Sequence, residues 1–444
     1  MLAGCSGVSN LSKVNVEVPS QFDNSIMPSD SASIADMDWQ EFYTDTILQS
    51  MIRKALDNNR DLLSAAAKIE EMRAILGETK ASYLPEIGLL AGGDNERTDY
   101  SGKGWDNDTE LSLKATLNWE FNLWNSMKWA NRKGSENYMA SIEDRRAMQI
   151  TLIANTATAY FYYTALNNEL DIVKATLHTR EEALEKARLR YEGGLTPETV
   201  YQQAKVELAT TASLIPNLEQ QITNARNALT LLMGETPTDA LPYNTNFTTN
   251  VIPDDINVGF TSDLLQRRPD IRAASNRLAA AMANVGLNYA NRFPSFSISF
   301  RGGLENSSLT DFLKSPYTYF IANLTAPVFD FGKRKKKYQA SIAQYNQARY
   351  EYEKTVITAF TEVNSALTTY HKCRDNYTLK IDLRNAALKY VDLAQLQYMG
   401  GTLNYLDVLD ARRRYFEAQI GVSNALLDRY RSVITLYKVL GGGW

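Results

Sequence analysis

The apolar and polar positions of this chain follow two different rhythms. From Glu110 to Phe121, the residues Leu111, Leu113, Ala115, Leu117, Trp119 and Phe121 alternate with Glu110, Ser112, Lys114, Thr116, Asn118 and Glu120. A period of two places every apolar side chain on one face of a strand. Ile87, Leu89 and Ala91 mark an earlier strand. Phe296, Ile298 and Phe300, set among Ser295, Ser297, Ser299 and Arg301, mark a third, and Phe320, Ala322, Leu324, Ala326 and Val328 mark a fourth. The pattern predicts two hairpins, with strands at about 85–93 and 110–121, and about 294–303 and 317–329. Polar loops, Asp94 to Thr109 and Leu304 to Pro316, join them. A soluble sheet with one buried face would alternate in the same way. Strands of about ten residues also fit tilted membrane-spanning strands, and Trp105, Trp119, Trp124, Phe293, Tyr317, Tyr319 and Phe329 supply aromatics near the strand ends, as an interfacial girdle requires.

The second rhythm is helical. Ser126 to Tyr191 and Gly332 to Met399 contain no proline and are rich in Ala, Glu, Gln, Arg and Lys. Some 65 residues at the α-helical rise make a rod of roughly 100 Å. A Gly-Gly break and a returning helix follow each rod, Pro197–Met233 and Asn404–Leu440, and another helix precedes each hairpin, Met51–Tyr83 and Pro269–Arg292. The halves are copies: Tyr191, Gly193, Gly194 and Gly234 recur 207 positions on as Tyr398, Gly400, Gly401 and Gly441. Ala140-Ser141-Ile142 instead recurs 200 positions on, as Ala340-Ser341-Ile342, which predicts a second rod about two turns longer than the first. The resulting division is a tether over 1–37, a first repeat over 38–234, a mid-rod excursion over 235–262 and a second repeat over 263–444.

The best uncharged helical stretch, Ala147 to Asn168, carries Gln149, Asn155 and four threonines, too polar to span a bilayer. Entry into a membrane would therefore use the strands. Four strands cannot close a barrel, and open edges are not tolerated in lipid. The chain must then associate with copies of itself.

With 47 basic and 51 acidic residues, no global attraction to nucleic acid is expected. The one basic block, Lys333 to Lys337, reads as a solvated or headgroup-facing cluster at a helix start. Two cysteines and two histidines leave little for a disulfide framework, a zinc site or a catalytic triad, so no catalytic or metal residue is assigned. The eleven methionines are scattered, which argues against copper or silver export. Leu2-Ala3-Gly4-Cys5 resembles a lipobox, whose cysteine receives a lipid; only Met1 precedes it, so either a signal has been trimmed or the match is accidental.

Leu264-Leu265-Gln266-Arg267-Arg268-Pro269-Asp270-Ile271 resembles the Arg-Arg-Pro-Asp-Ile segment of TolC-like outer-membrane efflux factors, in particular their lipoprotein branch. Phe293-Pro294-Ser295, Ala326-Pro327-Val328-Phe329-Asp330 and the terminal Leu440-Gly441-Gly442-Gly443-Trp444 are similar to that branch as well. The resemblance implies an α+β membrane protein: a homotrimer with a twelve-stranded outer-membrane barrel continued by an α-helical periplasmic tunnel. It also implies no covalent chemistry, no cofactor beyond a lipid on Cys5, and two partners, a periplasmic adaptor and an inner-membrane pump of the resistance-nodulation-division type.

Gly401 to Asp410 is similar to the family's second tip motif, whose aspartates line a constriction. Asp407 and Asp410 are three residues apart and share a helix face, so three copies would set six carboxylates around a mouth that favours cations. Val200 stands at the equivalent first-half position, where the family often has an acid, and Arg412, Arg413 and Arg414 are expected to pair with the aspartates across subunits. Tyr191, Tyr398, Gly193, Gly194, Gly400 and Gly401 are candidates for the adaptor contact or simply for the helix turns. A protein-secretion duct and a non-channel coiled-coil scaffold remain the alternatives to an efflux duct.

Overall fold

The structure is a computed structural model that describes residues 33–99, 102, 104–121, 123–237, 240–245, 247, 264–326 and 329–443, with 11, 14 and 16. Cys5, Pro327, Val328 and Trp444 lie outside the described residues. The element order is α1 (Trp39–Phe42), α2 (Thr46–Asn58), α3 (Arg60–Ala81), β1 (Glu86–Thr98), β2 (Asp106–Phe121), α4 (Ser126–Glu192), α5 (Glu198–Leu232), α6 (Leu264–Arg267), α7 (Pro269–Ala290), β3 (Ser295–Asn306), β4 (Pro316–Thr325), α8 (Lys333–Met399) and α9 (Tyr405–Val439). The chain forms two compact units. One contains Ala66–Glu143 and Ile271–Thr355, and the other contains Glu17–Ala65, Asp144–Asp270 and Val356–Trp444. Among the described residues no helix is long and apolar enough to cross a membrane.

In the first unit the four strands make one antiparallel sheet in the order β1-β2-β3-β4. The register sets Ile87 against Leu117 and Leu89 against Ala115, then Leu117 against Phe300 and Phe300 against Phe320. One face is therefore continuously apolar, and it is bare: Ile87 is 77% and Leu89 84% exposed. The other face is polar. On it Lys114 bonds Glu110 at 2.9 Å and Glu305 at 2.5 Å and sits over the Tyr317 ring at 5.0 Å. Gly303, opposite Lys114, lies so close to β2 that a β-carbon there would collide with the Leu113 carbonyl.

The first hairpin outruns its apolar pattern. Pairing continues through Asp94–Glu110, Asn95–Thr109 and Glu96–Asp108 to Thr98–Asp106, so most of the expected loop is strand. Backbone hydrogen bonds propagate a ladder without apolar side chains, and Asn95 adds a 2.7 Å bond to Thr109. β4 ends at Thr325, before the expected 329, and Phe329 lies beyond the strand.

The two rods, α4 and α8, have 67 residues each, so the expectation of a longer second rod is overturned. The repeated Ala-Ser-Ile segment lies nearer the start of α8, because α8 begins five residues before Tyr338 whereas α4 begins twelve before Tyr138. In both places the serine hydroxyl bonds the carbonyl of that tyrosine at 2.7 Å. The returning helices α5 and α9 are also equal, at 35 residues each.

The duplication extends to individual bonds in the second unit. The expected single helix Met51–Tyr83 is broken at Asn59, whose side chain caps α3 and donates to the Leu232 carbonyl at 2.9 Å. In the second half Arg268, at the α6–α7 break, donates to the Val439 carbonyl at 3.0 Å, and 232 and 439 are 207 apart. Arg268 also grips Asp270 at 2.7 and 3.1 Å and Glu362 at 2.7 Å. Pro269 opens α7, where its missing N–H costs nothing. Arg267 reaches Asp36 at 2.5 Å. Ser33 and Asp36 form a capping box, Ile34 is buried, and Tyr437 stacks on Phe42 at 4.0 Å and donates to the Met37 carbonyl at 2.7 Å. Residues 33–37, expected to belong to the tether, are therefore docked. Burial, with the neighbouring Tyr437, raises the pKa of the Tyr43 phenol well above its ordinary value. Asp45 accepts from Tyr160 at 2.8 Å and Asn244 at 3.2 Å, which holds the mid-rod segment against α4.

Candidate functional site

The sequence candidates converge on the two helix turns of the second unit. At the α4–α5 turn Leu195 N–H bonds the Arg190 carbonyl and Gly194 N–H bonds the Tyr191 carbonyl. At the α8–α9 turn Thr402 bonds Gln397 and Gly401 bonds Tyr398 in the same way. These are Schellman motifs, which need a left-handed residue after the helix. Gly194 and Gly401 supply it, with φ of 70° and 75°. A β-carbon on either would meet nothing within 4 Å, so the backbone angle alone requires glycine there. Gly193 and Gly400 are not left-handed.

Around these turns the side chains are interlocked. Tyr191 stacks on Tyr201 at 5.9 Å, Tyr398 packs on Tyr405 at 5.2 Å, and Arg190 lies over the Tyr398 ring at 5.5 Å, linking the end of α4 to that of α8. Ala394, Val408 and Ala411 form a small buried core beneath Tyr398, Leu403 and Tyr405. Val200 is buried and lines a cavity of about 180 Å³ between the hairpins, where a charged carboxylate would be desolvated.

Asp407 lies in the first turn of α9, where the helix dipole favours negative charge, and Asp410 lies one turn further on. Their surroundings differ. Asp410 pairs with Arg413 at 2.6 Å and Arg414 at 2.7 Å within its own chain. The Arg414 hydrogen bond, aided by Arg413, lowers its pKa below the ordinary carboxylate value. Asp407 has no ion pair among the described residues. The arginines expected to reach across subunits thus satisfy Asp410 locally, and Arg412 turns to Gln395 at 3.3 Å.

Sequence reasoning missed one further group. Arg180 on α4 pairs with Glu207 on α5 at 2.9 Å and lies over the Phe416 ring on α9 at 5.6 Å, beside a cavity of about 500 Å³. Burial lowers the pKa of this guanidinium, and Glu207 opposes the effect. No local spacing signals a contact among three separate helices. Among the described residues no cluster of acidic, histidine or cysteine side chains could hold a metal.

A family profile described as outer membrane efflux protein matches residues 51–235 and 260–442. Over 422 residues the chain is 32% identical to the probable efflux pump outer membrane protein SepC of Pseudomonas putida, covering 92% of this chain and 86% of that protein. It is 30% identical over 465 residues to the probable outer membrane lipoprotein SilC of Salmonella typhimurium, covering 100% and 97%. Its fold is similar to that of the open-state Neisseria gonorrhoeae MtrE outer membrane channel, with a TM-score of 0.85 at 27% identity, covering 97% of each chain.

Proposed function

For a chain that belongs to the outer membrane efflux protein family, we propose a passive exit duct for small molecules. An inner-membrane pump of the resistance-nodulation-division type would deliver them through a periplasmic adaptor. Family channels are trimeric outer-membrane components of efflux systems, and three four-stranded sheets make a twelve-stranded barrel. The observation that carries the reading is the bare apolar sheet face set against a polar one: an outward face that lipid can solvate and an inward face that water can fill.

In this reading the tips bearing Tyr191, Gly193, Gly194, Tyr398, Gly400 and Gly401 meet the adaptor, and Asp407 and Asp410 line the periplasmic mouth. Three copies would bring six carboxylates together, and mutual repulsion in a narrow aqueous pore admits cations and resists anions. Asp410 is already neutralised by two arginines, so Asp407 carries most of this field. Cys5 bears the lipid anchor, as the name of the SilC relative suggests by likeness.

The test is complementation of a strain lacking its own outer-membrane efflux component, read as drug susceptibility and dye retention, with single-channel recordings of the purified trimer. Restored small-molecule efflux is expected. Restored secretion of a protein substrate without efflux would favour the secretion duct instead. Asp407→Ala should reduce cation selectivity more than Asp410→Ala; unchanged selectivity in the double variant would remove the gate assignment. Mass spectrometry of the membrane-extracted protein should find a diacylglyceryl group on Cys5, and an unmodified thiol would remove that assignment.

A further inference from the structure

Two cavities of the second unit share a wall. The larger, of about 500 Å³, lies among α4, α5, α8 and α9, and the smaller, of about 180 Å³, reaches the helix turns. Thr179, Ala183, Gln395 and Arg412 line both. The larger has the volume of a small-molecule site, and Ile172, Ala175, Ala183, Val391, Leu409 and Phe416 give it an apolar lining.

Charge is distributed unevenly along the pair. In the larger cavity Arg180 is spent on Glu207 at 2.9 Å. Asp171 marks one end of it, about 12 Å along α4 from the shared Thr179 at the helical rise. The smaller cavity sets Lys186, Arg190 and Arg412 against a single carboxylate, Glu182, which faces His178 at 3.5 Å. None of these three cations has an ion pair among the described residues. Arg190 lies over the Tyr398 ring, and Arg412 meets the neutral amide of Gln395. Thr196, on the same wall, has a buried hydroxyl with no hydrogen-bond partner among the described residues. Native proteins rarely leave such a group unsatisfied. A basic pole with an unused hydroxyl, beside an apolar chamber, is the complement of an amphipathic anion.

We propose that the joined cavities bind a small amphipathic anion, an aromatic carboxylate or sulfonate. Its acid group lies at Arg412, Lys186 and Thr196, and its ring system lies between Ile172, Val391 and Leu409. Arg412, on the shared wall, is the point where head and body meet. The occupant touches α4 and α9 together and so ties the two hairpins of one chain. Neither a transport step nor a partner protein enters the argument, so the site is tested independently of the exit-duct reading.

The test uses 4-benzoylbenzoate, an aromatic carboxylate that labels its binding site on illumination, with the purified full chain in lipid nanodiscs and adducts mapped by peptide mass spectrometry. Saturable labelling within 172–183 of α4 or 409–419 of α9 is expected, at least tenfold more efficient than with the uncharged 4-benzoylbenzamide. Equal labelling by acid and amide would overturn the basic pole, and labelling that does not saturate or falls only on other segments would overturn the site. Arg412→Gln with Lys186→Gln should cut labelling by the acid at least tenfold and leave labelling by the amide unchanged; undiminished labelling by the acid would also overturn the proposal. The comparison of acid with amide is made on the unaltered chain, so it decides the proposal whether or not the double variant folds.

Discussion

Replacing Arg268 with alanine tests the claim that the Arg-Arg-Pro-Asp segment is a structural clasp. The substitution removes the bonds to Asp270, Glu362 and the Val439 carbonyl at once. Arg268 is only 10% exposed, but Asp270 and Glu362 are 40% and 43% exposed, so water recovers part of what their carboxylates lose. A fully buried pair broken on one side costs about 3–5 kcal/mol. Solvent screening of the two carboxylates brings the expectation here down to roughly 2–3 kcal/mol. Asn59→Ala at the equivalent joint removes only neutral bonds, a cap and one carbonyl partner, worth about 1–2 kcal/mol. Thermal unfolding of the detergent-purified trimer, followed by circular dichroism, should rank wild type above Asn59→Ala above Arg268→Ala, with Arg268→Lys intermediate because a single ammonium cannot fork across Asp270. If Arg268→Ala melts with or above Asn59→Ala, the clasp is wrong and the arginine serves something other than the α6–α7 joint.

The tip glycines should separate by backbone angle: Gly194→Val and Gly401→Val each cost about 1–2 kcal/mol of left-handed strain and lower efflux, whereas Gly400→Ala, with its nearest neighbours 3.6 Å away, should behave as wild type in the same susceptibility assay. Gly303→Ala should prevent β2 and β3 from pairing and deplete heat-modifiable trimer from outer-membrane fractions, because its β-carbon meets the Leu113 backbone. Asp410 has a pKa lowered by Arg414 and Arg413, so its charge and the stability it contributes are fully present above the ordinary carboxylate pKa of about 3.9 and are lost only as pH falls through the lower folded value. The selectivity difference between wild type and Asp410→Asn should therefore be constant from pH 7 to pH 5 in bilayer recordings, and a difference that fades across that window would contradict the pairing.

The elements themselves were legible in the one-dimensional pattern. The faultless alternation from Glu110 to Phe121 located β2, the proline-free runs located α4 and α8, and the paired glycines located both turns, because period and backbone angle are local properties. The same reasoning failed wherever a polar stretch gained partners from afar. Asp94 to Thr98 looked like loop but pairs with β2, Met51 to Tyr83 looked like one helix but breaks where Asn59 reaches Leu232, and residues 33–37 looked like tether but dock on Tyr437. The unequal rods inferred from Ala140 and Ala340 were a register shift and not an insertion, and only the positions of the helix starts reveal that.

The sequence by itself determined the duplication, the strands, the rods and the family resemblance, since each rests on spacing along the chain. Tertiary structure decided which charges are spent and which are available. Asp407 and Asp410 are alike in sequence, yet two arginines one turn on neutralise only Asp410. Burial and pairing depend on what arrives from elsewhere in the fold, and no local pattern records that arrival.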